Sequence, residues 1–148
     1  MKLSRSQISK FFFSSENYRV FCSRMEKVGF AMNLNGVNKA VFIHPDWHWV
    51  VKLCYDCDKK PRNGAKINKY YLPPRECGKR RFEDIETRYN TYGGVVWLQF
   101  QHKVENVGNY DVYEDFLTNL RQKGIRWLRD NHANNIGVLG KRTVIIDY

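Results

Sequence analysis

Turn formers divide residues 28–55 into short apolar runs, and that division leaves the chain little choice but an antiparallel sheet. Phe30–Leu34 leads into Asn35-Gly36, and Lys39–Ile43 leads out. Asn-Gly tolerates the positive φ values of a tight hairpin turn, so the two runs read as paired strands. His44-Pro45-Asp46 makes a second turn, and Trp47–Tyr55 alternates and is rich in β-formers. Consecutive strands joined by short turns are antiparallel neighbours in the simplest topology. Phe82–Tyr89 and Val95–Phe100 add two more strands, with Tyr92-Gly93-Gly94 between them. The expectation is a five-stranded antiparallel sheet.

Helical periodicity lies on either side of it. Tyr18, Phe21, Cys22, Met25 and Val28 predict a helix over 15–28, with Ser14 or Ser15 as its cap, Glu16 in its first turn and Gly29 as its stop. Pro61, Gly64, Pro73, Pro74 and Gly78 argue against a long helix in 58–78. After Val104 the texture changes. Asp111-Val112-Tyr113-Glu114 has the form of a capping box, Val112, Phe116, Leu117 and Leu120 make one stripe, and Gly124 can end that helix. A polar loop, 129–137, and a final strand, Lys141–Tyr148, follow. The fold class is α+β, one domain over 1–148: a sheet lobe over 1–100, a linker over 101–109 and a smaller lobe over 110–148.

Composition narrows the function classes. With 43% hydrophobic and 15% aromatic residues in 148, the chain can bury a core without staples and is not compositionally disordered. Phe11-Phe12-Phe13 is far too short to span a bilayer, and no secretory leader is legible, which predicts a cytoplasmic protein with no membrane partner. Cys22, Cys54, Cys57 and Cys77 then read as free thiols. Cys54-x2-Cys57 with Cys77 also has part of a zinc-knuckle spacing, which His44 or His48 would have to complete. The net charge of +10 is unevenly spread: Lys59–Arg81 holds nine basic residues against Glu76 alone. Such a block is either a solvated loop or the footprint of an acidic protein or nucleic acid.

The polar loop carries the chemistry. Asp130 and Asn135 are five positions apart, and Asp147 comes twelve later, after Val144-Ile145-Ile146. A phosphoryl-transfer site needs a carboxylate to orient a hydroxyl and accept its proton. It also needs oxygen ligands for Mg²⁺, which an amide and a second carboxylate supply. As bland turn formers the same residues need no ligand.

This spacing resembles the catalytic loop and metal-binding Asp of protein kinases. Upstream, Val50-Val51-Lys52-Leu53 looks like the kinase strand whose lysine contacts the α- and β-phosphates, and Asn35-Gly36 stands where that family carries its phosphate-covering turn. Gln101-His102-Lys103 looks like the hinge. Across residues 28–148 the order of motifs is most similar to the small early kinases of short-tailed coliphages. The resemblance implies a kinase-like fold with a truncated, mainly helical C-terminal lobe. It implies Asp130, Asn135, Asp147 and Lys52 as catalytic residues. Asn35, Gly36, Lys52, Gln101 and His102 would face ATP, and Asn135 and Asp147 would hold Mg. It further implies a serine/threonine kinase acting on a host protein, or on itself, in the host cytoplasm. Leu128 replaces the usual histidine, Gly36 is the one glycine of its turn, and the chain ends one residue after Asp147. The glutamate partner of Lys52 is open between Glu76, Glu83 and Glu86. These departures keep two alternatives in view: a kinase-fold binding protein without catalysis that inhibits a host target through its basic 59–81 segment, and a zinc-bearing nucleic-acid binder.

Overall fold

Ser4 begins the first element. Its hydroxyl accepts from the Gln7 N–H at 3.1 Å, at the Ser-x-x-Gln spacing of a capping box. Helix α1 follows, Arg5–Ser14, and buries Ile8 and Phe12, four residues apart on one face. Asn17 then caps α2, Tyr18–Lys27, its side chain accepting from the Val20 N–H at 2.9 Å. The helix expected over 15–28 is present, but neither serine caps it. The Ser14 and Ser15 hydroxyls instead donate to the Lys10 and Phe11 carbonyls, each at 2.6 Å, at the end of α1. Gly29, with φ +102°, closes α2 as expected.

The computed structural model describes residues 2–34, 39–55, 65–106, 109–127 and 133–146. The chain divides into two compact units, Met1–Asp58 with Pro74–Lys103 and Lys59–Pro73 with Val104–Tyr148. The first holds α1, α2 and a five-stranded sheet: β1 Ala31–Asn33, β2 Lys39–Ile43, β3 Trp49–Cys54, β4 Arg75–Glu86 and β5 Thr91–His102, in the order β1-β2-β3-β5-β4. Every neighbouring pair is antiparallel. Strands β4 and β5 are longer than expected. Strand β4 is an edge, where charged side chains can point to solvent without weakening the pairing, so its charge hid it.

One face of this sheet packs on the helices. Ala40 and Phe42, Val51 and Leu53, Val96, Leu98 and Phe100 join Ile8, Phe12, Phe21 and Met25 in one core. The aromatic rings meet edge-on, Phe12 with Phe21 at 5.6 Å and Phe21 with Phe42 at 5.7 Å. Strand β4 also secures the helix ends. Arg80 Nη1 donates to the carbonyls of Phe12 (2.9 Å), Phe13 (3.3 Å) and Ser15 (2.7 Å) where α1 stops. Asp84 accepts from the Tyr18 and Arg19 N–H groups where α2 starts, at 2.8 and 3.2 Å. A guanidinium at a helix C-terminus and a carboxylate at an N-terminus are the favourable charges for those positions.

Among its described residues the second unit adds strands to the expected helices. It combines one short helix, α3 Ala65–Asn68, and one long one, α4 Tyr110–Gln122, with a three-stranded sheet, β6 Glu105–Asn106, β7 Ile136–Leu139 and β8 Arg142–Ile145, in the order β6-β7-β8. The strand expected over Lys141–Tyr148 is the second arm of a hairpin whose first arm begins inside the presumed polar loop. Helix α4 is capped by Asn109 rather than Asp111: the Asn109 Oδ1 accepts from the Asp111 N–H at 2.8 Å, and Asp111 sits in the first turn. Phe116 and Leu120 on α4 pack with Ile67, Trp127, Ile136 and Ile145. Among the described residues, no helix is long and apolar enough to cross a membrane.

Candidate functional site

Lys52 sits near the middle of β3. Its neighbours Val51 and Leu53 face the helical core, so the alternation of a strand puts Lys52 on the opposite face. It is 4% exposed. Cross-strand pairing sets Val41, Lys52, Gln99 and Glu76 in one row over four strands. Gln99 is the direct neighbour of Lys52, and Glu76 stands two strand spacings away, about 10 Å. Gln101 pairs with Val50, one step further along the same face, and is 1% exposed. An ammonium at this depth needs oxygen acceptors or an anion around it. A strand reading Val-Trp-Leu-Gln-Phe-Gln carries the signal for this polar face: Gln99 and Gln101 alternate with buried Leu98 and Phe100.

The three glutamates considered for Lys52 all lie on β4, not on a helix. Glu76 is level with Lys52. Glu83 pairs with Arg81, and Glu86 stands opposite Thr91, eight residues along β5 from Gln99. His102 does not share the Gln101 face. It pairs with Trp49 across β3 and β5 and stacks on its ring at 4.1 Å. The stretch expected to act as a hinge is tied to the β2–β3 turn. The Lys103 N–H donates to the His48 carbonyl, and Lys103 Nζ donates to the His44 carbonyl, both at 2.8 Å.

Asn135 belongs to the second unit. It ends a 3-10 turn, Ala133–Asn135, directly before β7, and is 2% exposed. Its carbonyl accepts from the Ile146 N–H at 2.8 Å, one rung beyond the Ile136–Ile145 pair of the β7–β8 hairpin. The residue after Ile146 in sequence is Asp147. An amide side chain thus stands on the rung from which the chain runs into a carboxylate, the donor types that Mg²⁺ selects. Asp130 and Asp147 lie outside the described residues, as do Asn35 and Gly36.

The other candidate features separate. Among the described residues, no group of three or more His, Cys, Asp or Glu is placed to hold a metal. Cys77 packs against the helical core, whereas the strand alternation puts Cys54 on the Lys52 face; Cys57 lies outside the described residues. Cys22, Cys54 and Cys77 are free thiols. Among its described residues the basic segment 59–81 is divided between the two units: Lys66 and Lys69 belong to the second, while Arg75, Lys79, Arg80 and Arg81 ride on β4 of the first. Two of these are already engaged, Arg80 at the end of α1 and Arg81 with Glu83. Compared with known proteins, the chain matches no family model and no curated protein.

Proposed function

We propose that this chain is a minimal, kinase-like phosphotransferase that binds Mg-ATP and acts on hydroxyl groups of a protein, itself or a host factor, in the host cytoplasm. The observation that carries the reading is the rung joining Asn135 to Ile146, because it brings the amide and the chain leading to Asp147 to one end of a hairpin. In this reading Asn135 and Asp147 are the metal ligands, and Mg²⁺ neutralises charge on the transferring phosphate. Asp130 orients the acceptor hydroxyl and takes its proton. Lys52 binds the nucleotide phosphates, while Gln101 and the Asn35-Gly36 turn border the nucleotide.

A second reading has its own support. All three candidate glutamates stand on a strand, and Glu83 is committed to Arg81. The kinase resemblance expects that glutamate on a helix, and positioning is most of phosphoryl-transfer catalysis. The alternative is a nucleotide-fold protein that occupies a host target without turning ATP over.

Incubation with Mg-ATP labelled at the γ-phosphate separates the two. The first reading expects label on the protein or on an added host extract, lost in Asp130→Ala and Lys52→Ala while circular dichroism stays unchanged. Labelling that survives Asp130→Ala overturns it. A thermal shift with Mg-ATP and no labelling selects the second reading.

A further inference from the structure

An open groove of about 990 Å³ lies in the second unit. Among the described residues five cations line it: Lys66 and Lys69 from α3 and the turn after it, Lys123 from the end of α4, Lys141 from the β7–β8 turn and Arg142 from the start of β8. All five side chains are exposed. Among the described lining residues, Asp115 is the one carboxylate. Three stretches far apart in sequence therefore bring like charges to one concavity, where low-dielectric walls focus the field on an incoming anion. The floor is apolar, formed by Tyr70, Val112, Phe116 and Ile125.

The geometry points to a docking groove for an acidic peptide segment that carries one large apolar side chain. The charge selects an anion, and the floor takes the apolar anchor. The rim polar groups, Asn119 and Thr143, suit a peptide backbone. The rings do not suit a nucleobase, which needs an open aromatic face to stack on. Lys123 stands over the Tyr70 ring at 5.8 Å and donates to its hydroxyl at 3.2 Å. Phe116 is buried between Tyr70 and Trp127, at 5.7 and 6.0 Å. Four of the five cations are lysines, point charges that accept carboxylates from many directions, rather than the planar forks favoured for phosphate. Among the described residues, Lys52 and Asn135 do not line this groove, and the inference rests on its charge and floor alone, so it stands whether or not the chain transfers phosphate.

Fluorescence anisotropy tests it on the full chain with three labelled probes: the peptide Glu-Glu-Phe-Asp-Glu-Glu, its neutral counterpart Gln-Gln-Phe-Asn-Gln-Gln, and an oligothymidine of about ten nucleotides. The acidic peptide is expected to bind at least about tenfold tighter than the neutral one, and to weaken as salt rises from about 50 to about 300 mM. Lys123→Glu with Arg142→Glu is expected to weaken it about tenfold or more. Lys66→Glu with Lys141→Glu, on different elements, is expected to do the same, each with an unchanged far-ultraviolet spectrum. Equal binding of the acidic and neutral peptides overturns the proposal, as does binding unaffected by either double variant. Tighter binding of the oligothymidine, lost on charge reversal, overturns it in favour of a nucleic-acid groove.

Discussion

Arg80 is the most informative single residue. Three carbonyls at the end of α1 share its guanidinium, and the same group lies 4.1 Å from the centre of the Phe82 ring. Removing it strands those carbonyls, so Arg80→Ala is expected to cost about 2 kcal/mol in urea unfolding. Arg80→Lys should recover no more than about half, because an ammonium lacks the planar group that lies over the Phe82 ring and fixes the donors. A loss under about 0.5 kcal/mol for the alanine variant would sink this account. A buried polar cluster sets a pH limit. Tyr18 and Tyr55 share a hydrogen bond at 2.7 Å, and burial raises both phenols well above their ordinary range. Burial also pushes the Cys22 thiol up to about 12 from 9.0. The folded chain keeps these protons while the unfolded chain releases them. The thiol's contribution is therefore fully present below pH 9.0 and is lost as pH rises from there toward about 12, and the loss from the tyrosines begins only above pH 10.0. Stability should fall by up to about 1.4 kcal/mol per pH unit for each group titrating. In Cys22→Ala the fall should begin only where the tyrosines take over, above pH 10.0. Urea midpoints at pH 7, 9 and 10 would show it, and an identical onset in variant and parent would exclude the thiol.

At the scale of elements, β4 carries the constraint that sequence reading found hardest. Its register shifts between Glu76 and Gly78, and Gly78 has φ +127°, where a Cβ would stand 2.7 Å from Phe13 Cζ. Gly78→Ala therefore meets both a strained backbone and a ring, and should cost about 3 kcal/mol. Gly124, past the end of α4 with φ +68°, has nothing within 4 Å of its Cβ position. Gly124→Ala should cost only the backbone term, about 1 kcal/mol. Thermal unfolding of the two variants would test the ordering, and equal losses would contradict it. The same strand explains what was legible. Strands β1, β2 and β3 were readable because turn residues bound apolar runs that are buried on pairing. Strand β4 was only half readable: Arg75, Lys79 and Arg81 face outward along an edge, and charge there looks like loop. Helix α1 was missed because Phe11-Phe12-Phe13 blurs the period. Phe12 is buried, but Phe13 is 49% exposed. The Ser4–Gln7 capping spacing was its available signal.

For the molecule as a whole, protection should follow sheet order. Strands β3 and β5 are bonded on both sides, and Val51, Leu53, Leu98 and Phe100 are fully buried. Their amides should exchange slowest, at least about 2 kcal/mol more protected than those of the three-residue edge strand β1. Hydrogen exchange read by mass spectrometry or NMR checks this, and a β1 as protected as β3 would refute it. The candidate site was less legible than the sheet. Local spacing marked Lys52 and Asn135. Only register reveals that Gln99 lies beside Lys52 and that Glu76 is level with it, because pairing partners are dozens of residues apart in sequence. Charge needed the fold in the same way. Of the described residues of the run 59–81, the basic groove takes Lys66 and Lys69, and it draws Lys123, Lys141 and Arg142 from elsewhere in the sequence. The clamp that Arg80 and Asp84 form on the helix ends has a practical corollary for protein engineering. The α1–α2 hairpin is not a portable cassette: grafted onto a foreign scaffold without those two side chains of β4, it would arrive with bare carbonyls at one helix end and bare amides at the next.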